Sequence, residues 1–182
     1  MKSDTFQKTT LALGTILTFR FLDYNNWFFV NYLVVNYNFS NWLFYPPAFL
    51  RLFAFLIFGY AAIPILFLAQ IWGVDFGLSQ SKIVIVSAFM AVGGPLGVDL
   101  ASKATSLKPS LSNLTPFRLL ILSLACAVGN ATFLKMGLSV VDFEKSKMPD
   151  YLSIVIGDTV GTWVMIYLIK AVLTVFGRSL PR

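Results

Sequence analysis

Two side chains of opposite charge sit where water is scarce. Asp158 lies in Gly157-Asp158-Thr159-Val160-Gly161-Thr162, inside the apolar run Tyr151 to Phe176, and Arg51 lies in Ala48-Phe49-Leu50-Arg51-Leu52-Phe53. An ionisable group in a segment long enough to cross a bilayer is costly, and it normally turns into the helix bundle or a wet cavity. Asp23 and Asn130 also fall within apolar runs. Carboxylate, guanidinium and amide supply recognition chemistry, namely charge-assisted hydrogen bonds to a small polar ligand. At about 100° per residue, Ile154, Gly157, Asp158, Gly161, Thr162 and Met165 share one stripe, and Ile156, Trp163 and Tyr167 fall opposite. Gly157 and Gly161 keep a small-xxx-small spacing that admits a neighbouring backbone.

Composition decides what must position these groups. Of 182 residues, 57% are hydrophobic and 12% charged, against about 25% charged in soluble domains. The chain is expected to be an integral membrane protein with room for about six spans of about 20 residues each. The first run, Thr9 to Val35, reads either as one long helix, on which Arg20 and Asp23 can pair, or as a helix ending near Arg20 before a turn at Asp23 to Asn26. Asn36 to Trp42 suits the membrane interface, and Asn38-Phe39-Ser40 fits the glycosylation pattern. Pro46-Pro47 opens the second run, and Ala61 to Val74, with Pro64 inside, follows at once. A tight helical hairpin is expected, with one tilted helix from Pro46 to Val74 as the other reading.

Lys82 to Leu100 carries Gly93-Gly94-Pro95-Leu96-Gly97, expected to break or kink the helix and to line the pocket, because nonhelical backbone cannot face lipid. Phe117 to Leu138 is the fifth span and Tyr151 to Phe176 the last. The fold class is therefore an all-α, polytopic transmembrane helical bundle of about six helices, one domain over residues 1–182. Gly157, Gly161, Gly93, Gly94, Pro95 and Gly97 are assigned to helix packing.

With six spans, Lys2, Lys8, Lys103, Lys108, Arg118, Lys170, Arg178 and Arg182 fall on one side, which predicts both termini inside. Counted at ~1.5 Å per residue, Asp158 then lies ~10 Å and Arg51 ~7 Å below the outer end of their helices, and Asn130 stands ~21 Å above the inner face. Asp23 reaches a similar height if the first helix is continuous. Asp158, Arg51, Asn130, Asp23 and Thr162, walled by Trp27 and Trp42, form the candidate small-ligand site; a salt bridge that only fixes helix packing is the alternative.

Other functions find no footing. The chain has no His and a single cysteine, Cys126, so no disulfide or Cys/His metal cluster is expected within it. The basic residues are dispersed between apolar runs, against nucleic-acid binding. No Ser/His/Asp set or Walker loop occurs, so neither catalysis nor a cofactor is expected. Met1 to Thr10 leads into a run without a small-residue cleavage site, so no removable signal peptide is expected.

Tyr45-Pro46-Pro47-Ala48 opening a helix, Leu56-Ile57-Phe58-Gly59 closing it, the Pro64 to Leu68 run and Ile156-Gly157-Asp158-Thr159-Val160-Gly161 resemble the membrane-associated sensor domains of the MASE family, type one. The resemblance covers roughly Trp42 to Phe176. It implies a sensory module in the bacterial inner membrane. Family members usually have more helices and feed a kinase or cyclase domain, so a chain ending at Arg182 is expected to act as a stand-alone input module on a membrane or cytoplasmic signalling partner. A small-solute transporter, or the substrate-binding subunit of one, is the other functional reading.

Overall fold

The computed structural model describes residues 2–33, 44–73, 77–144 and 150–177. They form α1 (Lys2–Leu33), α2 (Ala48–Phe58), a 3-10 turn (Gly59–Ala61), α3 (Ala62–Ile71), α4 (Gln80–Ala104), α5 (Pro116–Val140) and α6 (Tyr151–Gly177), with no strand among the described residues. If α2, the turn and α3 are taken as one helical run, there are five helices. Four are long and apolar enough to cross a membrane: Ala48–Ile71, Gln80–Ala104, Pro116–Val140 and Tyr151–Thr174. Asn36 to Trp42, Lys145, Lys147, Arg178 and Arg182 lie outside the described residues, as does the Trp27 side chain.

Ala48–Ile71 qualifies by length and composition, but it does not run straight. Gly59 adopts φ 58° and ψ −137°, a conformation essentially confined to glycine, and the helix stops there. Two contacts show that the chain turns back. The Tyr45 hydroxyl, just before α2, donates to Asp23 Oδ1 at 2.7 Å, and a Cβ on Gly73, just after α3, would meet the same Asp23 carboxylate. A straight helix would hold Ala48 and Ile71 about 35 Å apart. Phe49, Leu50 and Ala54 instead share a core with Ala62, Leu66 and Ala69. The run is therefore two arms of about 15 Å, each about half the hydrocarbon thickness. Pro64 does not break the second arm. It is the third residue of α3, where its missing N–H falls among donors that have no partner in the helix anyway.

The centre of the bundle is the α4/α5 pair. A Cβ on Gly97 would collide with the Ala125 carbonyl, and one on Gly129 with the Gly93 carbonyl. Backbone thus lies on backbone, the close approach that small residues permit. The expected break at Gly93 to Gly97 does not occur: α4 is helical throughout, with Pro95 inside it. Proline forfeits one ladder hydrogen bond, but Gly93, Gly94 and Pro95 are buried and contact with α5 holds the helix together. These residues pack helices, and none of them lines the cavities described below.

α1 is continuous past Asp23, which settles the first run as a helix rather than a turn. Among its described side chains Phe19 is the buried one, while Leu13, Leu17, Phe21 and Tyr24 stay exposed.

Candidate functional site

The stripe anticipated on α6 is the buried one. Ile154, Gly157, Asp158, Gly161 and Thr162 are buried, and Ile156 and Tyr167 are exposed. Trp163 is half-buried rather than outside, because its Nε1 donates to Ser123 Oγ on α5 at 3.0 Å. The glycines admit the backbone that precedes α2: the Tyr45 N–H donates to the Gly157 carbonyl at 3.1 Å, and a Cβ on Gly161 would collide with the Tyr45 carbonyl. This docking fixes where α2 starts, and Arg51 follows on its first turn.

Arg51 Nη1 lies 3.1 Å from Asp158 Oδ2. Asn130 Nδ2, from α5, donates to the same oxygen at 2.7 Å. Relative exposures are 1% for Arg51, 2% for Asn130 and 4% for Asp158, so the ion pair is fully desolvated. The guanidinium carbon stands 5.1 Å from the Tyr45 ring centroid and 5.7 Å from that of Phe19, so aromatic faces supplement the single carboxylate. Gly94 makes room on the other side, where a Cβ would touch Cys126 Sγ and the Arg51 stem. One carboxylate therefore joins α2, α5 and α6.

Tyr45 links this centre to a second pair. Its ring lies over Arg51 and its hydroxyl reaches Asp23, whose other oxygen is 3.1 Å from Arg20 Nη1. Of the residues proposed from sequence, Asp158, Arg51 and Asn130 meet directly, Asp23 joins through Tyr45, and Thr162 is buried one turn further along α6.

Sequence reasoning missed Tyr45, Phe19, Gln70, Ser87 and Ser123. Gln70, Ser87 and Ser123 are buried polar residues inside apolar helices, a signal the sequence carried but charge-centred reasoning passed over. Ser87 stands two turns before Gly94, and Ser123 two turns before Asn130, about 10 Å either way along their helices. Several buried polar atoms have no protein partner: Arg51 Nε, Asn130 Oδ1, Ser87 Oγ and both amide atoms of Gln70. Such atoms are uncommon in native cores and each calls for an explanation.

Cys126 is buried, and no cluster of three potential metal ligands occurs among the described residues. Cavities of about 330, 340 and 290 Å³ lie between α2 and α6, between α3 and α4, and beside the α4–α5 loop. None of these three is lined by Arg51, Asn130 or Asp158. Comparison of the chain with family models, curated proteins and solved structures finds no match.

Proposed function

We propose that this chain is a sensory, signal-input module of the bacterial inner membrane, akin to the type one MASE domains that Tyr45 to Ala48 and Ile156 to Gly161 resemble. Both termini face the cytoplasm, in keeping with the basic residues at those helix ends. The observation that carries the proposal is the incompletely paired cluster: Arg51 and Asn130 both bind Asp158 Oδ2, yet Arg51 Nε and Asn130 Oδ1 keep a free donor and a free acceptor. A small polar ligand that parts the closed cluster and offers acceptors and donors would satisfy these atoms. Because the cluster ties the α2/α3 hairpin to α5 and α6, such a ligand biases how the hairpin sits, and a partner reads that change. No catalytic step is assigned to the chain.

The half-length α2/α3 hairpin favours a second reading, a small-solute transporter, since interrupted helices beside a buried charge are common in transport sites. Two measurements separate them. Sensing requires that the chain, captured from its native membranes, retains a kinase or cyclase whose output Asp158→Asn changes while capture persists. Accumulation of a labelled solute in proteoliposomes holding this chain alone, lost in Asp158→Asn, would sink the sensory reading.

A further inference from the structure

A second site lies at the far end of the hairpin. The cavity of about 290 Å³ beside the α4–α5 loop is lined by apolar Phe55, Leu56 and Leu107 together with Ser102, Lys103 and Lys108. Its loop wall is well ordered by bonds. Asn113 accepts from the Lys108 N–H at 2.9 Å and donates to the Ser106 carbonyl at 3.0 Å. Leu107 N–H donates to the Ser102 carbonyl at 2.9 Å, and Arg118 Nη1 donates to the Asn113 carbonyl. Asp99 is the acid of the cavity, and it is engaged by Lys103 Nζ at 2.7 Å. Two ammonium groups thus face one carboxylate, and the Lys108 side chain is exposed.

The depth suits a membrane surface. α4 ends at Ala104, and exposed Tyr60 and Phe117 stand near the same end, as aromatic residues do at headgroup level. A phosphate ester matches the lysines and serine hydroxyls, and the apolar Phe55 and Leu56 of α2 give an acyl chain a surface to follow. We infer that this cavity binds the phosphate headgroup of an anionic phospholipid, with Lys103 and Lys108 on the phosphate and Phe55 and Leu56 along the chain. The inference is independent of the sensory proposal.

The test is native mass spectrometry of the intact chain in detergent with a phosphatidylglycerol, a phosphatidylcholine of the same chains, and soluble glycerol phosphate. Phosphatidylglycerol should bind tightest. Near a membrane surface each lysine contributes enough that Lys108→Ala should weaken it about fivefold and Lys103→Ala/Lys108→Ala about thirty-fold. Lys135→Ala, at the other end of α5, should leave binding unchanged. Should the double variant fold poorly, Lys108→Glu alone must still weaken binding. Equal binding of the two lipids, no loss in the lysine variants, or full competition by soluble glycerol phosphate would each overturn the lipid assignment.

Discussion

Removing either half of the Arg51/Asp158 pair should cost far more than removing both. Asp158→Asn keeps the side-chain shape but leaves Arg51, 1% exposed, without its bonded carboxylate. Arg51→Leu leaves Asp158 with only the Asn130 amide. Stranding one charge of a buried pair costs about 3–5 kcal/mol. In a chain of 182 residues that corresponds to a fall in melting temperature of roughly 6–20 °C. The double variant strands neither charge, so it should recover much of the loss, with a coupling energy of about 2–3 kcal/mol. The molecule carries its own reporter. Cys126 is the single cysteine and is buried beside Gly94 and the Arg51 stem, so a thiol-reactive dye reads unfolding in detergent directly. Coupling within about 0.3–0.5 kcal/mol of zero would mean the residues act independently and would refute the pairing argument.

Three further outcomes follow from the same geometry. Tyr45→Phe keeps the ring over Arg51 but removes the hydrogen bond to Asp23, and should cost about 1.5 kcal/mol or more by thermal unfolding; no change would separate the two ion pairs. Gly59→Ala should cost about 1–3 kcal/mol, since φ 58° with ψ −137° strains any Cβ, whereas Gly14→Ala, in open helical space, should be neutral or stabilising. Asp150 accepts from the Ser153 N–H at 3.0 Å, and that bond holds its carboxyl below the ordinary 3.8. Because the folded value is depressed, its contribution is present above pH ~4 and is lost as pH falls through the folded value. Protection of the Ser153 amide from exchange, taken relative to its intrinsic rate at each pH, should therefore fall at acid pH in the parent and lose that dependence in Asp150→Asn.

The helical class and the heart of the site were legible because charge in an apolar run is rare and costly. Asp158 and Arg51 announced themselves this way, and counting rise per residue placed them at similar depth, where they meet. The 3.6-residue stripe through Gly157 and Gly161 likewise pointed to a close neighbour, though not to the backbone of Tyr45. What stayed hidden depends on tertiary contact. Glycines and a proline read as a break in α4 because local propensity disfavours helix there, yet packing against Ala125 and Gly129 overrides it. The hairpin itself was expected from two short apolar arms in succession, but not the backbone conformation at Gly59 that makes its turn. Gln70, Ser87 and Ser123 are common enough in membrane helices that only burial distinguishes them.

The central claim is that the Arg51, Asp158 and Asn130 cluster receives a small polar ligand. The most direct test is thermal unfolding of the parent and of Arg51→Leu/Asp158→Asn against a panel of small carboxylic acids, amides and amino acids. A panel member at one hundred times its dissociation constant adds about 2.7 kcal/mol, a rise of roughly 5–11 °C in the parent. The account predicts that rise in the parent and none in the double variant. An equal rise in both, or none in the parent across the panel, would contradict it.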